Sequence, residues 1–133
     1  MTQQRPHRIL LAADTPGHTA GYHVVSRGLR DAGFEVIMVG PQMPAEAVTA
    51  ALQEDADILA IRVMDRDPIA VAEEIIKNLQ EAGIEELPVF MGGIIGRRQA
   101  TQLEAMGIRG VFPPGSKIID IVQRANECVG ART

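Results

Sequence analysis

Arg8-Ile9-Leu10-Leu11-Ala12-Ala13, a helix-period stretch over Thr19–Ala32, and then Phe34-Glu35-Val36-Ile37-Met38-Val39-Gly40: read together, these segments decide the fold. The two flanking runs are short, apolar and bounded by turn residues, as strands buried on both faces must be. The stretch between them carries Val25, Leu29 and Ala32 at helical spacing and stops at Gly33, a residue suited to the left-handed backbone that ends a helix. The unit is therefore strand, helix, strand.

The same alternation continues outward. Strands are predicted over Asp57–Val63, Leu87–Met91 and Gly110–Phe112. A helix over Pro44–Glu54 presents Val48, Ala51 and Leu52. The next has the clearest entry, with Asp67 as N-cap and Pro68 at the first helical position, then Ala72, Ile75, Ile76 and Leu79 before Gly83. Arg97–Met106 presents Ala100 and Leu103, and a last helix opens at Ser116 and presents Ile118, Ile121, Val122, Ala125 and Val129. Parallel strands need crossover helices, and those crossovers are right-handed. The expected fold is α/β: a flavodoxin-like (Rossmann-type) five-stranded parallel sheet of order 2-1-3-4-5, with helices on both faces.

Composition narrows the function classes. The chain has 133 residues, 46% hydrophobic and 23% charged, so a single globular domain over 1–133 is expected, with 1–7 and 130–133 as frayed ends. Ile9–Ala13 is far shorter than the roughly 18 residues of a membrane span, and no signal-type apolar region follows Met1–His7, so a cytoplasmic location is expected. One cysteine, Cys128, excludes an internal disulfide framework and a multi-cysteine zinc site. A net charge of −4, 3% aromatic residues and no Trp argue against a nucleic-acid partner.

In an open parallel sheet, ligands bind beyond the carboxyl ends of the strands, where strand order reverses. The informative loops are therefore Asp14–Gly21, Arg62–Asp67 and Gly92–Arg98. His18 can project from the sheet edge and ligate a metal through a neutral imidazole, whose other nitrogen needs an acceptor such as Asp14 or Thr15. The plain alternative is a solvated loop histidine. Gly92-Gly93 permits close backbone approach of a bulky ligand, or simply makes a tight turn. Arg97-Arg98 at a helix start can meet an anion or stay solvated. Arg62, at the end of a buried strand, can pair with Asp65 or Asp67 or reach an anionic group.

Two enzyme classes drop out. A phosphate-receiver domain needs a lysine at strand five, where this chain has Val111-Phe112-Pro113-Pro114-Gly115 and reaches Lys117 only beyond it. No nucleotide-binding G-x-G-x-x-G or P-loop follows strand one. Cys128 reads as a packed small residue.

Three stretches carry a resemblance: Val24–Ile37 (VVSRGLRDAGFEVI), Ala51–Asp57 (ALQEDAD) and Pro88–Ile95 (PVFMGGII). With them the chain resembles, from Arg8 to about Val129, the cobalamin-binding domain of acyl-CoA carbon-skeleton mutases (methylmalonyl-CoA mutase-like), in its small-subunit form. That family carries Asp-x-His-x-x-Gly after strand one, Ser-x-Leu after strand three and Gly-Gly after strand four. The resemblance implies that cobalamin, as adenosylcobalamin, binds base-off with His18 as the lower ligand of its cobalt. It further implies a slot for the displaced nucleotide tail, bounded by Gly21, Gly92 and Gly93. Gly17 and Thr19 flank the histidine, and Arg62 and Met64 stand at the first and third places of Ser-x-Leu. Pro16 stands where the first motif has its aspartate. The acyl-CoA site would lie on a separate large mutase subunit, so this chain alone would have no turnover; a homodimer is a further option. Two other readings remain open at this point. One is a degenerate domain that has lost cobalamin and serves as an interaction module. The other is a rim at which Arg62, Arg97 and Arg98 hold a different anionic small molecule.

Overall fold

The computed structural model describes residues 5–17 and 19–132, so His18 lies outside the described residues. Strands and helices alternate as β1 (Arg8–Ala13), α1 (Thr19–Asp31), β2 (Glu35–Pro41), α2 (Pro44–Gln53), β3 (Ile58–Val63), α3 (Pro68–Glu81), β4 (Val89–Gly93), α4 (Arg97–Ala105), β5 (Gly110–Phe112) and α5 (Ile118–Arg132). All strand pairs are parallel and the order is β2-β1-β3-β4-β5, as expected for the flavodoxin-like fold.

The two-residue period of the strands divides the core. Leu10, Ala12, Leu59, Ile61 and Met91 point to the face covered by α2, α3 and α4, where Val48, Ala72, Ile75 and Leu103 meet them. Ile9, Leu11, Ala60 and Phe90 point to the opposite face, under Tyr22 and Leu29 of α1 and Ile121, Ala125 and Cys128 of α5. Cys128 is a buried packing residue.

Most element ends match the sequence reading. Asp67 caps α3 by accepting from Ile69 N–H at 3.1 Å, with Pro68 following. Four details differ. Ala32 falls beyond α1 and is exposed, and the buried stripe of that helix is Tyr22, Ser26 and Leu29. Leu52 is exposed on α2. Ser116 donates its hydroxyl to Pro113 O at 2.6 Å, closing a turn that delays α5 to Ile118. The fourth strand runs two residues further than Met91, through Gly92 and Gly93, because both pair with β3 as partners of Arg62 and Val63. Of the ends expected to fray, 1–4 and 133 lie outside the described residues; α5 continues to Arg132, and Arg5 donates to the Asp55 carboxylate at 2.8 Å. Among the described residues no helix is long and apolar enough to cross a membrane.

The strand ends at the switch point are tied by Asp14, the residue after β1. Its N–H donates to Arg62 O at 2.9 Å, extending the β1–β3 ladder by one bond. Its buried carboxylate accepts from three successive backbone N–H groups of the next loop over: Met64 at 3.0 Å, Asp65 at 2.9 Å and Arg66 at 3.0 Å. Thr15 adds a hydroxyl bond to Asp65 at 2.8 Å. Burial, the largest single influence on Asp14, opposes its ionisation, but the backbone N–H bonds together outweigh it and hold its pKa below the ordinary value.

Two sets of substitutions test the Asp14 bonds and the fit of the strand-four glycines. Replacing Asp14 by Asn should cost about 2 kcal/mol at pH 7, the worth of hydrogen bonds to a charged acceptor. Because the folded pKa is depressed, that contribution is fully present above the ordinary value of 3.8 and is lost as pH falls through the lower folded value. Urea unfolding of both proteins between neutral pH and pH about 3 should show the gap closing only at the acid end. The second concerns the strand-four glycines. Gly93 has φ +116 and an added Cβ would collide with the Val63 carbonyl, whereas at Gly92 the nearest atom, Phe112 O, is 3.4 Å away. Gly93→Ala should therefore lower the unfolding free energy by about 3 kcal/mol. Gly92→Ala should cost less than about 1 kcal/mol.

Candidate functional site

Between the sheet and the helices α1 and α5 lies a cavity of about 440 Å³ that opens at the carboxyl ends of the strands. Its floor is Leu11, Ala60 and Phe90, and its helical walls include Val25 and Ile121. Phe112 closes one end, edge-on to Phe90 with ring centroids 5.5 Å apart. The volume and the apolar lining suit a small planar group better than a charged one.

The sequence-derived residues divide into four groups. Gly21, Arg62, Met64, Gly92 and Gly93 all line the cavity. Gly17 and Thr19 bracket His18 in the chain but do not line it. His18 itself is outside the described residues. Arg97 and Arg98 begin α4, fully at the surface and apart from the cavity lining, so the rim of three converging arginines does not form.

Arg62 makes contacts the sequence did not suggest. Its guanidinium donates to Thr15 O at 2.6 Å and to Gly17 O at 2.7 Å, and its carbon stands 5.6 Å from the centroid of the Tyr22 ring. It thus straddles Pro16 and packs its charged plane on an aromatic face. Asp14 and Thr15, considered as acceptors for the His18 imidazole, direct the bonds just described to the β3–α3 loop and to Asp65.

Tyr22 was not anticipated either. The β1–β2 register shifts between Leu11 and Ala12, where Met38 and then Gly40 become the partners and Val39 is left over. Such a bulge interrupts the ladder. The Tyr22 hydroxyl repairs it, donating to Leu11 O at 2.7 Å and accepting from Gly40 N–H at 3.0 Å. Burial pushes the Tyr22 pKa up, against the opposing influence of the Gly40 bond and the Arg62 charge, so the hydroxyl keeps its proton at neutral pH. The available signal was that the chain's single tyrosine sits in the first turns of α1, next to Gly21.

Comparison with known proteins adds to this geometry. Residues 6–123 match the model of the B12 binding domain. The 2-hydroxyisobutanoyl-CoA mutase small subunit of Aquincola tertiaricarbonis is 37% identical, over 97% of this chain and 98% of its own length. The pivalyl-CoA mutase small subunit of Xanthobacter autotrophicus is 36% identical, over 96% of this chain and 84% of its own. Among solved structures, a chain of the methanol:cobalamin methyltransferase complex of Methanosarcina barkeri superposes with TM-score 0.74 at 20% identity, covering 97% of this chain and 48% of that one. A response regulator of Chloroflexus aurantiacus gives the same TM-score at 19% identity, over 94% and 98%. At those identities the structural likeness concerns the fold alone. The family match spans all five strands and the three loops at their carboxyl ends, and by it the chain belongs to the B12-binding domain family.

Proposed function

We propose that this chain is the cobalamin-binding small subunit of an adenosylcobalamin-dependent acyl-CoA mutase, and that it holds the cofactor base-off with His18 as the lower ligand of cobalt. The observation that carries this reading is the apolar cavity between the sheet and α1, whose lining brings together Gly21, Arg62, Met64, Gly92 and Gly93. The residues present fit the group. A planar, largely apolar nucleotide base suits walls of Val25, Phe90, Phe112 and Ile121. Gly92 and Gly93 present bare backbone on the sheet side, and an added Cβ at Gly21 would meet nothing within 4 Å. Support for the mutase role comes from the two near-full-length relatives, each a mutase small subunit.

Within this reading each residue has a task. The His18 imidazole would supply the nitrogen that holds the metal. Gly21, Gly92 and Gly93 let the backbone approach the tail, and Met64 adds a deformable apolar contact at the mouth. When bound, the cofactor supplies the radical chemistry, while the protein supplies binding and orientation. The acyl-CoA substrate would bind a separate large subunit, so this chain alone has no turnover. A second reading, an interaction module without cofactor, draws on Pro16 in place of the motif aspartate and on the Arg62 side chain at the cavity.

Titration of the purified chain with hydroxocobalamin and adenosylcobalamin, followed by visible absorption, separates the two. Saturable binding with a base-off, histidine-ligated spectrum that His18→Ala loses is the expected result. Absence of binding at high micromolar cofactor would favour the interaction module. Gly21→Ala supplies an independent check. The variant should raise the urea midpoint of the cofactor-free chain, since alanine is favoured over glycine in a helix by up to about 1 kcal/mol. The same methyl should weaken cofactor binding by narrowing the slot.

A further inference from the structure

We propose that Tyr22 is the positioning residue of α1: its hydroxyl fastens the mouth end of that helix to the sheet, so that the slot for the nucleotide tail is already formed in the cofactor-free chain. The inference rests on the cobalamin-binding reading and adds a residue to it. Little else holds the helix there. Of Thr19–Val25, Tyr22 alone is buried. Ala20, Gly21 and Val25 line the cavity, which puts about 440 Å³ of open space where a helix ordinarily finds side chains to pack on. Gly21 and Gly28 each weaken the helix relative to alanine, and its first turn has no acidic side chain to complement the positive end of the dipole. One turn further on, the Ser26 hydroxyl is buried without a hydrogen-bond partner among the described residues, so it adds no polar tie to the sheet.

The two ends of the helix are anchored differently. At its carboxyl end Arg30 donates to Val36 O at 3.1 Å, Phe34 N–H donates to Leu29 O at 3.1 Å, and Gly28 lies against the Ile118 side chain of α5. At the mouth the tie is Tyr22, whose hydroxyl donates to Leu11 O at 2.7 Å and accepts from Gly40 N–H at 3.0 Å. Both backbone groups sit where the β1–β2 register shifts, and an interrupted ladder must find partners outside the strands. A helix over a cavity must find a fixed point on the sheet. One phenol meets both demands. Its ring also lines the cavity, with the Arg62 guanidinium 5.6 Å from its centroid. A slot formed before the cofactor arrives spares binding the cost of ordering its wall.

The test compares wild type with Tyr22→Phe, which keeps the ring and removes only the hydroxyl. A third protein adds Val24→Ala to Tyr22→Phe, because alanine at this exposed position strengthens the helix itself. Backbone 15N relaxation on the cofactor-free chain reads the helix directly. Order parameters of Thr19–Val25 should fall from about 0.85 to below about 0.6 in Tyr22→Phe, while those of α3 stay near the wild-type value. Saturating hydroxocobalamin should restore them. Hydroxocobalamin affinity should fall by about 10-fold in Tyr22→Phe, as expected when the slot is formed in about one molecule in ten. The added Val24→Ala should recover part of both losses. A role confined to stability would lower the melting temperature of Tyr22→Phe while order parameters and affinity kept their wild-type values, and that result would overturn the proposal. So would a loosened helix with unchanged affinity, because the slot would then have no need to be held open. If wild type binds no cobalamin, the functional reading fails by that fact alone, and the relaxation data still decide whether Tyr22 fastens α1.

Discussion

A single buried carboxylate gathers three consecutive backbone N–H groups at the point where the sheet changes direction, and the shape of the site depends on it. In a doubly wound sheet the chain leaves neighbouring strands toward opposite faces, so the loops after β1 and β3 tend to diverge. Asp14 holds the β3–α3 loop against the end of β1. Arg62 holds the β1–α1 loop against the end of β3. The crevice that the topology opens is thereby stopped at a definite width, and what remains open is the slot under α1.

Why the fold was legible in the sequence and the rim less so follows from the kinds of force involved. Burial on both faces requires apolar runs, and runs such as Arg8–Ala13 and Gly110–Phe112 coincide with the observed strands. Caps are local, so Asp67-Pro68 located α3 to the residue. Leu52 and Ala32 were misplaced because a helical stripe is blurred at its ends, where one residue's rotation moves a side chain to solvent. Gly92-Gly93 read as a loop because glycine is poor in strands. It is in fact strand, paired with Arg62 and Val63 of β3, and glycine is required at the second position because the Val63 backbone lies too close to Gly93 for a Cβ.

Arg62 and Tyr22 belong to another class. Their partners are carbonyl oxygens and an amide N–H dozens of residues away or across a bulge, and every residue carries those groups. A side chain gripping backbone leaves no complementary residue type for a pattern to reveal. Reading Arg62 against Asp65 or Asp67 looked for a charge of opposite sign, whereas the structure offers aligned carbonyl dipoles and a ring face. The same applies to Asp14, whose partners are three amides, where the sequence suggests an imidazole.

The cost of placing a cation on an apolar slot explains why these residues occur together. A half-buried guanidinium at the edge of an apolar cavity must recover part of the interactions it loses with water or the site would be destabilised. Two carbonyls accept from its terminal nitrogens and the Tyr22 face receives part of its charge, so the half-buried group is compensated on more than one side. Tyr22 can offer that face because its hydroxyl is fixed by the bulge between β1 and β2, which in turn exists because Val39 has no partner on β1. An irregularity at one edge of the sheet is thus connected through one ring and one guanidinium to the loop at the centre. Disturbing the bulge should consequently be felt at the rim as well as at the β1–β2 edge, because the ring that supports the Arg62 guanidinium is anchored there.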